Sequence, residues 1–150
     1  MVGNPADVNS IFLDPLNPSE KSFIIFAVND NSTTNSGGSH WSLAVFSRHD
    51  KIFYHFDSVS KLNHSSFKSL TKILKICLQC PDAEICEIPC LQQNNSCDCG
   101  LYVLCHTDLV FQTIEKRSPL ANIKKIIPQK VHVKRREIIQ IFEGLKDADS

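Results

Sequence analysis

His40-Trp41-Ser42-Leu43-Ala44-Val45-Phe46 and Ile52-Phe53-Tyr54-His55-Phe56-Asp57 are two short runs rich in aromatic and aliphatic residues, joined through the polar Arg48-His49-Asp50-Lys51. Such a pair with a short polar gap predicts an antiparallel hairpin with strands over Trp41–Phe46 and Ile52–Phe56. A two-residue turn at His49-Asp50 sets Asp57 opposite Ser42. Side chains alternate faces along a strand, so His40 shares Ser42's face and becomes the diagonal neighbour of Asp57. Diagonal neighbours stand ~7–8 Å apart at the backbone, within reach of a His–Asp hydrogen bond. Slipping the turn by one residue sends the two side chains to opposite faces, so the pairing depends on register.

Outward from the hairpin, Phe23–Val28 is a continuous apolar run that predicts a buried strand. Asn31–Ser39, with its paired glycines, reads as a polar loop. In His64–Gln79, Phe67, Leu70, Ile73, Leu74 and Cys77 recur at three-and-four spacing, which predicts an amphipathic helix covering the sheet. Glu84–Ile88 is a short strand candidate and Leu91–Asp98 a polar loop. Gly100–Ile114 is an apolar helical run. Val131–Leu145 is a charged helix with Ile138, Ile139, Ile141, Phe142 and Leu145 expected on or near its buried side. Residues 1–22, rich in Pro, Asn and Asp, read as an irregular lead-in to one domain over residues 23–150. Strands and helices mix without a regular βαβ repeat, which favours an α+β fold.

The chain has 150 residues, 42% apolar and 21% charged, as an ordinary globular domain does. Lys plus Arg and Asp plus Glu each count 16, so the balanced charge gives no reason to expect nucleic-acid binding by the chain as a whole. No apolar run approaches the ~20 residues of a membrane helix, and the N-terminus lacks the pattern of a secretory signal. A cytosolic or nuclear protein is expected. Seven cysteines, an odd count without a secretion signal, argue for reduced thiols rather than a disulfide framework. Most of them should be small buried hydrophobes. Cys77-x2-Cys80, followed by Cys86 and Cys90, can also be read as a four-thiolate zinc site in an interaction module. Against that, Cys77 falls on a helix's apolar face, and the second pair has x3 spacing without a knuckle glycine.

A thiol nucleophile acts as thiolate and needs a base beside it, and the base needs a third group to fix its tautomer. Acyl transfer also needs donors aimed at the developing oxyanion. Cys99 sits where a polar loop meets a helical run, and free N–H groups at a helix start favour an anion. Gly100 follows without a side chain to crowd a substrate carbonyl. His40 and Asp57 are the candidate base and orienting carboxylate, and Gln92 or Gln93 can supply a side-chain amide.

These residues match a family pattern. Gln93-Asn94-Asn95-Ser96-Cys97-Asp98-Cys99-Gly100-Leu101-Tyr102 resembles the Gln-x4-Asp-Cys-Gly-x-Tyr motif of the ubiquitin-like-protein proteases, the sentrin/SUMO-specific protease family. His40-Trp41-Ser42-Leu43 resembles that family's His-Trp-Ser-Leu, and Phe56-Asp57-Ser58 its Asp-Ser strand end. Ala27-Val28-Asn29-Asp30-Asn31-Ser32 with Gly37-Gly38-Ser39-His40-Trp41 looks most like the deneddylase branch.

The resemblance implies a papain-like α+β fold, its central antiparallel or mixed sheet flanked by helices, with no metal or organic cofactor. It implies His40 as base, Asp57 as its partner, Gln93 as oxyanion donor and Cys99 as nucleophile. The partner would be a ubiquitin-like modifier, of the neddylation type first and SUMO second. The modifier would be cleaved after its C-terminal Gly-Gly, as precursor or conjugate, by a monomer that needs neither nucleic acid nor membrane. Trp41 would cover a channel passing only glycines, and the loop carrying Asn29, Asp30, Gly37 and Gly38 would close over the modifier's tail. Position 97, usually aromatic in the family, is here Cys97. Family domains carry a further helical portion with a Trp-Leu-x-Asp motif ahead of the first strand. Residues 1–22 hold no such motif, so the chain is expected to lack that portion. The competing expectation is accordingly an inactive relative or a modifier-binding module.

Cys105 is expected to be buried. His49, His64, His106 and His132 have no matched role and read as surface or local hydrogen-bonding residues. Lys124-Lys125 and Lys134-Arg135-Arg136 read as a solvated helix face, or more sharply as a contact for an acidic partner patch or an import signal.

Overall fold

The computed structural model describes residues 5–8, 13–31, 33, 35–123 and 128–148. The hairpin forms in the expected register. Strand β1 (Phe23–Asn29) pairs antiparallel with β2 (Trp41–Ser47), which pairs antiparallel with β3 (Ile52–Phe56). Leu43 faces Phe56 and Val45 faces Tyr54. Continued by one step, that register sets Ser42 opposite Asp57. The tip spans Arg48–Lys51, with Lys51 at φ 54°, and is held by a hydrogen bond of 2.8 Å from Ser47 Oγ to Asp50 Oδ2.

Strand β4 (Glu84–Ile88) adds parallel to β3, giving the order β1-β2-β3-β4. A parallel neighbour needs a long crossover, and helix α2 (His64–Cys77) supplies it. The sheet is therefore mixed, and both its faces are covered. On one, Ala44, Phe46 and Phe53 pack with Phe67, Leu74 and Leu78 from α2 and the turn after it. On the other, Leu43, Val45, Tyr54 and Phe56 pack with Val110 of helix α3 (Cys99–Glu115) and with Leu120. Strict alternation along β2 and β3 feeds these two layers. Each fully buried Phe in them stabilises the fold by about 1.5–3 kcal/mol.

Two expectations need correction. The lead-in is less irregular than its composition implied: it contains a helical turn, α1 (Pro5–Val8), and 3-10 turns at Asp14–Leu16 and Pro18–Glu20. Proline is pre-set for the start of such turns, and Leu13 enters the core beside Phe67. The second correction concerns helix α4 (Pro128–Ala148). Of its apolar residues Val131 is buried, whereas Ile139, Ile141, Phe142 and Leu145 are exposed. The helix meets α3 through its first turns, where Lys134 Nζ pairs with Asp108 at 2.7 Å, and its later turns find no cover among the described residues.

Among the described residues no helix is long and apolar enough to cross a membrane. They also hold no group of three or more His, Cys, Asp or Glu side chains arranged to take a metal ion, so Cys77, Cys80, Cys86 and Cys90 do not assemble the zinc site considered above.

Candidate active site

His40 lies immediately before β2, and its backbone is clamped from the end of β1. Asp30 Oδ1 accepts from His40 N at 3.0 Å and from Ser39 N at 2.7 Å, while Oδ2 accepts from Ser39 Oγ at 2.6 Å. The Ser39 hydroxyl, with the backbone donors, holds the Asp30 carboxyl below its ordinary range against a smaller effect of burial. Asn29 Nδ2 donates to His40 O at 3.2 Å, and Asn29 Oδ1 accepts from Asn31 N at 2.8 Å. Gly38 packs against the Asn29 side chain at φ 93°, where an added Cβ would fall 2.1 Å from Asn29 Oδ1. The side chains of Asn29 and Asp30 are thus engaged in shaping the loop and fixing His40. Trp41, next to His40, remains 44% exposed.

The imidazole reaches across the hairpin. His40 Nε2 lies 2.6 Å from Asp57 Oδ1, and both residues are buried. A carboxylate only accepts, so Nε2 carries the proton and Nδ1 is the ring nitrogen left for other chemistry. Asp57 Oδ1 also accepts from Val59 N, and Oδ2 from Asn63 N, each at 3.0 Å. Three donors on one carboxylate fix its plane, and with it the ring.

Cys99 opens α3 and is buried, sharing one stripe of that helix with Tyr102, His106 and Val110. His106 lies 5.5 Å from the Phe56 ring, centroid to centroid. Burial lowers its pKa to about 4, against the opposing charge of Asp57. The contact with Phe56 sets the helix stripe that also bears Cys99 against the end of β3. His106 is accordingly a buried residue hydrogen-bonded to the Tyr102 backbone, the second of the two readings expected of it. His49 is exposed, and His64 bonds Glu87 Oε1 at 2.7 Å. Cys105 is buried as expected.

The loop before Cys99 is tied to the segment after Asp57. Gln93 N donates to Ser58 O at 2.8 Å, and Gln93 Oε1 accepts from Ser58 Oγ at 2.7 Å. Gln93 Nε2 donates to Asn95 O at 2.7 Å. Gln92 bridges back as well, accepting from Ser60 N at 2.7 Å and donating to Asp57 O at 3.2 Å. Asn95 Oδ1 then collects Cys97 N at 3.1 Å and Asp98 N at 3.0 Å, the local turn for which Asn is suited. Cys97 is exposed, and a Cβ on Gly100 would meet nothing within 4 Å, so the space at the helix start is open.

Asp98 precedes the thiol and is held by Asn95 Nδ2 and by the guanidinium of Arg135 on α4. Burial works to raise the Asp98 pKa, but those hydrogen bonds and the Arg135 charge hold it below the usual carboxylate range. Lys134, paired with Asp108 and Glu137, is raised by both. Lys134 and Arg135 therefore tie α4 to α3 and to the Cys99 loop, while Arg135 and Arg136 keep the solvated face expected of the run. Lys124-Lys125 lies outside the described residues.

Several residues around the site carried no sequence signal of their own. Ser42 Oγ lies 2.9 Å from His55 Nε2, and His55 Nδ1 lies 2.8 Å from Glu87 Oε2. Asn63 stands at the N-cap position of α2, where Asn commonly caps a helix. In the structure it makes no capping hydrogen bond with its side chain.

Residues 17–140 match the model of the Ulp1 protease family, C-terminal catalytic domain. The chain is 35% identical over 136 residues to mouse sentrin-specific protease 8, covering 89% of this chain and 61% of that protein. It is 34% identical over 146 residues to NEDD8-specific protease 1 of Arabidopsis thaliana, covering 89% and 64%. Among solved structures, the C-terminal Ulp1 protease domain in complex with SMT3, the yeast ortholog of SUMO, superposes with a TM-score of 0.60. That pair shares 19% identity over 87% of this chain and 60% of the other, which speaks to the α+β fold. The chain spans less than two thirds of the length of these curated relatives.

Proposed function

The chain belongs to the Ulp1 protease family, and we propose that it is a thiol protease and isopeptidase that cleaves after the C-terminal Gly-Gly of a ubiquitin-like modifier. Two relatives named for NEDD8 or sentrin favour a modifier of the neddylation type, with SUMO second. The observation that carries the reading is the buried contact of 2.6 Å between His40 Nε2 and Asp57 Oδ1, set beside the helix that Cys99 begins.

In this reading His40 Nδ1 takes the Cys99 proton, and the sulfur attacks the carbonyl of the modifier's last glycine. Negative charge moves onto that carbonyl oxygen, next to the N-terminal N–H groups of α3. Gln93 is the side-chain donor to the same oxygen, which requires its amide to turn from Asn95 O toward the thiol. Collapse expels the amine, protonated by His40, and leaves a thioester on Cys99. Water, deprotonated by His40, then releases the carboxylate and restores the thiol. Asp57 keeps the ring in one tautomer throughout.

Trp41 is assigned to the wall of the glycine channel, on the strength of its exposed ring beside His40. Gly37 and Gly38 belong to the loop over the modifier's tail, and Asn29 and Asp30 serve it by holding its base. The catalytic domain is placed at residues 23–150, working in the cytosol or nucleus, where thiols stay reduced.

A NEDD8-derived probe with an electrophile at its C-terminus tests the assignment. The expected result is covalent labelling of the wild-type chain and of Cys97→Ser, and none of Cys99→Ser. Labelling that survives in Cys99→Ser and disappears in Cys97→Ser would move the nucleophile. An unlabelled wild type that still binds the modifier would leave a binding module in place of an enzyme.

A further inference from the structure

Asn63 is fully buried at the start of α2, yet its side chain turns inward instead of capping the helix. Its Nδ2 donates to Val28 O at 3.0 Å, to Ser42 Oγ at 3.0 Å and to His40 O at 3.4 Å. Two of these partners are backbone carbonyls, which only accept, so the amide nitrogen must occupy this position and a flipped amide would set oxygen against oxygen. Its own backbone N–H donates to Asp57 Oδ2 at 3.0 Å. Asn63 Oδ1 is the one buried side-chain nitrogen or oxygen without a hydrogen-bond partner among the described residues. A residue that leaves an acceptor unmet in order to aim its donors is specified by those donors and not by capping.

One residue therefore touches both halves of the pair from outside the hairpin: the main chain of His40 and the carboxylate of Asp57. It also touches Val28 at the end of β1. Ser42, receiving the Asn63 amide on its oxygen, donates its hydroxyl proton to His55 Nε2, and His55 Nδ1–H donates to Glu87 Oε2. We propose that Asn63 is a positioning residue for the proposed reaction, locking the His40 backbone to the Asp57 carboxylate so that the imidazole keeps one orientation as its charge changes. The proposal rests on the protease reading, and it acts through His40 and Asp57 without touching substrate.

The test combines turnover with a readout that does not need turnover. In NMR spectra of the full chain, the Asn63 carboxamide protons should exchange with solvent far more slowly than those of exposed Asn122. The His40 Nε2 proton, held on Asp57, should give a sharp downfield resonance. In Asn63→Ala that resonance should broaden. On a fluorogenic NEDD8 C-terminal substrate, kcat should fall about tenfold to a hundredfold, as a small misplacement of a catalytic group does, with KM nearly unchanged and the acid limb of the pH profile displaced. Leu74→Ala, which cuts the same helix's packing away from the site, should lower stability and leave the resonance and the pH profile in place.

The proposal is overturned if folded Asn63→Ala keeps the resonance and kcat, or if Leu74→Ala reproduces its changes. Should Asn63→Ala fail to fold, the wild-type exchange decides: Asn63 protons exchanging as fast as those of Asn122 would overturn it, and slow exchange supports it. A wild type that turns over nothing would defeat the protease reading, whereas the resonance comparison would still decide the positioning role.

Discussion

The corner that holds His40 and Asp57 and the loop that leads to Cys99 are constructed from opposite materials. In the corner, both side chains are buried, flank the ends of adjacent strands and meet at 2.6 Å, and the carboxylate collects two further backbone donors. In the loop, Gln93 to Cys97 are largely exposed, and order comes from one Asn turn and from ties to distant residues, Ser58 on one side and Arg135 on the other. A sheet register fixes the first locally and rigidly. The second is assembled only when α4 and the strand end are both in place. The proposed base, His40, should therefore be pre-set, and the approach to Cys99 should be the adjustable half.

The largest effect expected from this contrast lies in the corner. Asp57→Asn preserves the shape but removes the charge and puts an NH2 donor in place of one acceptor oxygen, so the tautomer is no longer enforced and kcat should fall by ~10³–10⁴-fold with modifier binding still measurable. Steady-state kinetics on the NEDD8 C-terminal substrate would show it. A loss below about tenfold would mean that the corner does not orient the base.

A second expectation concerns the residue beneath both regions. His106 is depressed to about 4, chiefly by burial, while an unfolded histidine titrates near ~6.5. The unfolded chain thus binds the extra proton first as pH drops. The stability held by a neutral His106 is complete above ~6.5 and is lost between there and about 4, amounting to about 3 kcal/mol across the window. Chemical denaturation at several pH values should show this slope in the wild type and a flatter one in His106→Leu.

The smallest effect should come from the loop's outer tie. Arg135 is 45% exposed in its side chain, so Arg135→Ala should cost less than about 1 kcal/mol in thermal unfolding. Turnover should nevertheless drop by about tenfold, because Asp98 next to the thiol loses its anchor. If that variant damages turnover as severely as Asp57→Asn, the loop is as exacting as the corner and the contrast fails.

What could be read from the sequence follows the same divide. Strand period and one turn were enough to place Ser42 opposite Asp57 and hence His40 beside it, because a register is a local property with only two alternatives. Helices over Cys99–Glu115 and His64–Cys77 were visible in apolar spacing to within a residue or two. The apolar stripe of α4 was visible too, but periodicity says which face is greasy and not whether anything covers it. Arg135 looked like one of a basic run, since nothing near it in sequence points to Asp98, 37 residues away. His106 and Asn63 were hidden for a related reason: a buried polar residue among apolar neighbours is defined by partners from other elements, here Phe56, Asp57 and the end of β1. Cys99 was a candidate from its place at the start of a helical run, and family resemblance singled it out as the proposed nucleophile.

Cys99 and His40 should work as one unit, and the alkylation of Cys99 by iodoacetamide tests this without any modifier. Followed by mass spectrometry of the Cys99 peptide across pH in a Cys97→Ser background, the reaction should remain fast on the acid side in the chain with His40. It should slow there by about tenfold or more in His40→Ala, the range expected for loss of a paired base. Superimposable pH profiles for the two proteins, with Cys99 accessible in both, would contradict it.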